Sequence, residues 1–142
     1  MKLSESSLEN KVVVSSGKRK KAVARAIIRP GAGRFLINGY PMELHPNMQV
    51  RSQLKVLYEA LKPYSDKVDV EVSSSGGGYM GQYQASVYAI SRGIYQYFNN
   101  DDRVKQVLLE FDPHALSGDP REKEPKKFGG KGARRRFQKS YR

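Results

Sequence analysis

The sequence contains no cysteine and no tryptophan, only two histidines, and no apolar run near the ~20 residues that a membrane span requires. Without cysteine there is no disulfide framework and no thiolate metal site. His45 and His114 lie far apart with no acidic ligand pattern beside them, so each reads as an ordinary histidine, and neither a metal nor a cofactor is expected. The opening MKLSESSLEN has one lysine, two acids and no apolar core, which excludes a signal peptide and marks residues 1–10 as a short disordered lead. Acids are scarce as well: 14 Asp and Glu stand against 26 Lys and Arg. With 142 residues, 38% of them hydrophobic, the chain suffices for one modest core in a soluble, intracellular protein.

The excess of positive charge is not spread evenly. Residues 17–34 carry seven basic residues and no acid, and residues 121–142 carry ten basic and two acidic. These segments hold +7 and +8 of a total of +12, which leaves −3 for the rest of the chain. A slightly acidic scaffold with two concentrated basic segments has two polyanion-binding surfaces, and nucleic acid is the polyanion favoured. An anionic membrane would call for bulky apolar residues beside the Lys and Arg on an amphipathic helix, so no membrane partner is expected.

Apolar periodicity then places the elements. KVVVSSG reads as a strand closed by Gly17. In KRKKAVARAIIRPG, alternation sets Arg19, Lys21, Arg25 and Arg29 on one face and Ala22, Ala24, Ala26 and Ile28 on the other. A helix with Lys18, Lys21, Arg25 and Arg29 in one stripe also fits so short a run; Pro30 and Gly31, turning into GRFLINGYP, favour the strand. Asn47 caps a helix carrying Val50, Leu54, Leu57 and Leu61 as far as Pro63. Val68, Val70 and Val72 alternate in a half-buried strand, and Gly76, Gly77 and Gly78 release it into a long helix lined by Tyr83, Val87, Ile90, Ile94 and Phe98. Asn99, Asn100 and Asp101 break that helix, Val104, Val107, Leu108 and Phe111 mark a shorter one, and periodicity ends after Pro113. The expected organisation is an α+β globular domain over 11–117 and an extended basic arm over 118–142.

Few motifs point to catalysis. The triple glycine before a helix could cradle a phosphate, but it lacks a following Lys and a Mg²⁺-binding hydroxyl, so a turn is the simpler reading. GGKGA has Gly132 where a P-loop needs Ser or Thr. Neither a nucleophile triad nor paired carboxylates can be argued from spacing, and enzyme activity is not expected. The arm matches a different task. Arg134, Arg135 and Arg136 offer planar forks for phosphate oxygens, Phe137 and Tyr141 offer faces for an unstacked base, and Gly129, Gly130 and Gly132 let the arm bend. No recognition helix for DNA is visible, so structured RNA fits best.

GKRKKAVARA, GRFLINGYP, SGGGYMGQYQASVYAISRGI and DPREKEPKKFGGKGARRRFQKSYR, in that order, resemble the family of the ninth protein of the small ribosomal subunit, over roughly residues 11–142. EPKKFGG and QKSYR are similar to its archaeal and eukaryotic branch. The resemblance implies an α+β fold like that of the second domain of the small subunit's fifth protein, with a left-handed βαβ crossover and a long extended C-terminal arm. It implies a structural role in the subunit head, on small-subunit rRNA and beside other head proteins, with no homo-oligomer and a cytoplasmic location on the ribosome. It assigns Arg134, Arg135 and Arg136 to rRNA, and the basic segments add Lys18, Arg19, Lys20, Lys21, Arg25, Arg29, Lys126, Lys127 and Lys131 as rRNA-binding candidates by their charge. Lys139, Tyr141 and Arg142 are assigned to the anticodon stem-loop of the P-site tRNA. The rival readings are a free RNA-annealing protein and a small nucleotide-binding enzyme built on the glycine loop.

Overall fold

A computed structural model describes residues 11–141; the expectations for residues 1–10 and for Arg142 lie outside that range. The alternation of residues 12–30 resolves into two strands. β1 (Val13–Arg19) and β2 (Ala22–Pro30) form an antiparallel hairpin with Arg19 opposite Ala22 and only Lys20 and Lys21 in the turn, which excludes the helical alternative. The first strand does not close at Gly17. A Cβ there would run into the carbonyl oxygen of Ala85 and lie 2.7 Å from the Ala89 nitrogen, so the glycine is a contact point inside the strand.

β3 (Phe35–Ile37) and β4 (Tyr40–Pro41) pair around Asn38 and Gly39, whose φ angles of 52° and 82° are what a two-residue hairpin turn requires. α1 (Met48–Ala60) starts where the Asn47 side chain accepts hydrogen bonds from the amides of Gln49 and Val50. Pro63 lies in the first turn of the short α2 (Lys62–Ser65). β5 (Val68–Ser75) leads through the glycines to α3 (Tyr79–Tyr97), which stops where Asn99 and Asn100 take positive φ. Asp101 caps α4 (Asp102–Phe111) by accepting from the Arg103 amide.

The sheet order is β1-β2-β5-β3-β4, antiparallel except for the parallel pair β3 and β5, which is joined through α1 as a βαβ unit. Ala22, Ala24, Ala26, Ile28, Val68, Val70 and Val72 point inward to meet Leu54, Leu57, Ile90, Ile94, Val104 and Leu108, so the helices form one layer over one face of the sheet. This is the α+β architecture of the family that the sequence resembles. α3 buries more than the expected stripe. Tyr83 and Phe98 are only half-buried, whereas Ala85 and Ala89 are fully buried and, with Gly93, let the helix lie close against β1 and β2. The Ser15 hydroxyl donates to the Ala89 carbonyl at 2.6 Å across that contact. Residues 112–141 contain no helix or strand, yet Ala115 is buried and contacts with the body extend to Arg121, past the expected boundary at 117.

Candidate nucleic-acid interface

The second face of the sheet is uncovered, and its ladder gives it a definite pattern. Lys18 stands opposite Val23 and Val23 opposite Ser75; Ser16 faces Arg25 and Arg25 faces Ser73. Further along, Ile27 is opposite Glu71 and Arg29 opposite Asp69. The basic side chains therefore concentrate toward the Lys20–Lys21 turn and acids toward the other end. The acid end is partly neutralised: Asp69 accepts from the amides of Ala32 and Arg34 at 3.0 Å each and pairs with the Arg34 guanidinium at 3.1 Å. Burial alone would raise the Asp69 pKa, but these donors outweigh it and hold the carboxyl below its usual range.

Lys18, Lys20, Lys21, Arg25 and Arg29 are exposed, and their side chains make no hydrogen bond or ion pair among the described residues. Arg19 departs from this set. It was expected beside Lys21, Arg25 and Arg29, but a two-residue turn shifts the parity: Arg19 faces Ala22, and both point inward. Its side chain is 10% exposed. Nε donates to the Gln84 side chain at 2.9 Å, one terminal nitrogen to the Arg121 carbonyl at 2.8 Å, and the other lies 3.5 Å from Asp119. Nearly buried and bonded to Gln84, Arg121 and Asp119, Arg19 anchors the arm root to the hairpin.

Arg19 is half of a clamp on the arm. The other half is Arg92, the one charged residue in α3, which donates to the carbonyls of Leu116 (2.9 Å), Ser117 (3.0 Å) and Ser16 (3.1 Å). Asp119, with its side chain 6% exposed, receives the Arg121 guanidinium at 2.7 Å. The Arg121 side chain and amide, with Arg19 behind them, hold the Asp119 carboxyl well below the usual carboxylate range against the opposing effect of burial. The sequence reading missed Arg92 and Asp119. A lone Arg in a helix of Ala, Ser, Gly, Ile and Tyr was the available signal.

Beyond the clamp the arm presents its side chains outward. Lys126, Lys127, Lys131, Arg135 and Lys139 are exposed and have no partner among the described residues. Arg134 is paired with Glu124 at 2.8 Å, and Arg136 donates to the Phe128 carbonyl, closing a loop that also links the Phe137 amide to the Gly129 carbonyl. Phe128 is 98% and Tyr141 93% exposed, so neither ring is used in packing. The triple glycine is accounted for locally. Gly76 and Gly77 take positive φ, and a Cβ on Gly76 would lie 2.6 Å from the Lys21 carbonyl oxygen. Among the described residues no group of His, Asp or Glu is arranged to hold a metal ion, and no helix is long and apolar enough to cross a membrane.

Comparison with known proteins places the chain in a family. The sequence model of the family described as ribosomal protein S9/S16 matches residues 17–142. The chain belongs to that family. It is 48% identical over 136 residues to the small ribosomal subunit protein uS9 of Desulfurococcus amylolyticus, covering 93% of this chain and 94% of the relative. It is 47% identical over 132 residues to the protein of that name from Pyrobaculum aerophilum, with 93% and 92% covered. A Halobacterium salinarum relative of the same name is 41% identical over 132 residues. These three relatives are archaeal, in accord with the branch suggested by EPKKFGG and QKSYR. As a member of the S9/S16 family the chain is a structural, non-enzymatic ribosomal component, which removes the nucleotide-binding enzyme from consideration.

In this S9/S16 chain the Asp119 clamp sets a pH dependence. An unfolded Asp titrates near 3.9, and the folded carboxyl lies lower. The clamp is therefore complete above the unfolded value and is lost only as pH falls through the folded one. The amide resonance of Arg121, whose N–H donates to Asp119 at 3.0 Å, is expected to hold its position through the ordinary Asp range and move only in stronger acid. A midpoint near 4 in an NMR pH titration would contradict this.

Proposed function

We propose that this protein is a constituent of the small ribosomal subunit that holds rRNA of the head on its β1–β2 face and along its arm. On this reading other head proteins lie beside it, and the arm tip, Lys139, Tyr141 and Arg142, reaches the anticodon stem-loop of the P-site tRNA. The observation that carries the rRNA reading is the set of exposed cations without internal partners on both segments. Such charges gain little from the fold and much from phosphates, whose counterions they release. The exposed Tyr141 ring adds a stacking face close to the tip.

Two sets of reconstituted subunits test the division between body and tip. Arg25→Ala with Arg29→Ala is expected to impair incorporation into subunits. Removing residues 139–142 is expected to leave incorporation near normal and to speed tRNA dissociation from the P site by roughly 3- to 10-fold. A few charge-assisted contacts contribute about 1 to 3 kcal/mol each in isolation, offset by the ordering of the arm and by the other contacts of the tRNA. Equal dissociation rates in truncated and intact subunits would remove the tRNA role. Normal incorporation of the Arg25 and Arg29 double variant would remove the rRNA role of the sheet face.

A further inference from the structure

In the sequence the two basic segments are separated by the whole folded core. In the structure they meet: Lys18 and Lys20 from the β1–β2 hairpin and Arg121 from the arm root line one cleft of about 360 Å³, together with Arg92. We infer that this cleft is a phosphate-binding site, and that one RNA phosphodiester seated in it joins hairpin and arm into a single RNA-binding surface. The inference rests on the rRNA reading above and adds to it a location and a contact chemistry.

Three observations carry it. First, the charges converging here are not balanced from within. The cleft has two carboxylates; Asp119 is committed to Arg19 and Arg121, which leaves Glu122. Lys18 and Lys20 have no partner among the described residues. Arg92 uses three N–H groups on backbone carbonyls and Arg121 uses its Nε and one terminal nitrogen on Asp119, so each guanidinium, with five N–H groups, keeps donors for an anion. Second, Lys20 has φ of 54°, a conformation uncommon for a residue with a side chain, at a turn position where glycine would be relaxed. The strained backbone holds a lysine where the fold alone would favour glycine, which points to a use for its charge. Third, the lining is chosen against other ligands. Apart from Pro120 it has no apolar side chain and no aromatic ring, so a nucleobase or a drug-like molecule finds no floor, whereas a phosphate needs only donors.

Lys20→Gly removes the cation and relaxes the turn at once, so a loss of binding cannot be blamed on loss of folding. The full chain is titrated with an RNA hairpin over a range of salt concentrations, and separately with inorganic phosphate, while amide resonances are followed by NMR. RNA is expected to shift the amides of Lys20 and of Ser117, Gly118 and Arg121. Inorganic phosphate alone should shift the same amides at far higher concentration. Lys20→Gly should melt no lower than the wild type and reduce the log-log salt slope by about one, and adding Lys18→Ala should reduce it by about two. Wild-type slopes in both variants, or RNA shifts that avoid the cleft, would overturn the site and leave the rRNA reading standing. Inorganic phosphate binding as tightly as RNA would overturn the role of an RNA strand as the bridge. Failure of the wild-type chain to bind the RNA hairpin at low salt would overturn the rRNA reading itself.

Discussion

Replacing Gly17 by valine is expected to lower the melting temperature by roughly 10 °C or more, on the scale of at least about 3 kcal/mol for a domain of this size. The side chain would point from the middle of β1 into α3. It would meet the Ala85 carbonyl, the Ala89 nitrogen at 2.7 Å and the Tyr88 Cβ at 2.9 Å. Two of these three are helix backbone, which cannot turn aside as a side-chain tip can, so α3 as a whole has to move. That displacement would break the bond from Ser15 to the Ala89 carbonyl and open the seam where Ala22, Ala24 and Ala89 are fully buried. Gly78→Ala is the control. A Cβ there meets nothing within 4 Å, and φ is −96°, so its melting temperature should fall by no more than a few degrees. Equal melting temperatures for the two variants, read by circular dichroism, would show that β1 and α3 are not closely packed at Gly17.

That seam also marks where the sequence stops being legible. The elements whose burial follows a period could be read directly: the alternating Ala22 to Ile28 and Val68 to Val72, and the helical spacing of Val50, Leu54, Leu57 and Leu61. The helix start at Asn47 was legible because its side chain answers free backbone amides, whereas Asp101, read only as breaking α3, also caps α4. The close face of α3 was not, because Ala85, Ala89 and Gly93 are buried for their smallness, and smallness leaves no hydrophobic signal. Arg19 was misplaced for a geometric reason: parity counted through an unrecognised two-residue turn puts a residue on the wrong face. The basic character of the interface was readable from charge alone. The meeting of its two halves was not, since it depends on the chain returning to β1 more than a hundred residues later, at the Arg19 to Arg121 contact.

Arg92→Ala is expected to release the arm root while the sheet and the N-terminal half of α3 stay folded. Arg92 reaches the carbonyls of Leu116, Ser117 and Ser16, tying the arm both to α3 and to the outer strand β1. Charge-assisted bonds of this kind contribute about 1.5 to 3 kcal/mol each when both partners are shielded. Only the bond to Leu116 is partly buried and the other two are open to water, so the summed loss should be nearer 2 kcal/mol than the simple total. That corresponds to a roughly 30-fold rise in the opening equilibrium of the segment. Hydrogen exchange should report it at the amides of Ala115 and Gly118, which donate to Asp112 and His114 in the turns that Arg92 holds down. The amide of Gln82, bonded to the Gly78 carbonyl in the first turn of α3, should exchange as before. Lysine at position 92 should recover only part of the protection, because one ammonium cannot span three carbonyls as a planar fork does. RNA affinity should fall in Arg92→Ala by more than one lost charge explains: the cations beyond Arg121 remain, but they start from a root with no fixed direction and must be ordered on binding. Unchanged exchange at Ala115 and Gly118 would mean that the arm is positioned by Arg19 and Asp119 alone.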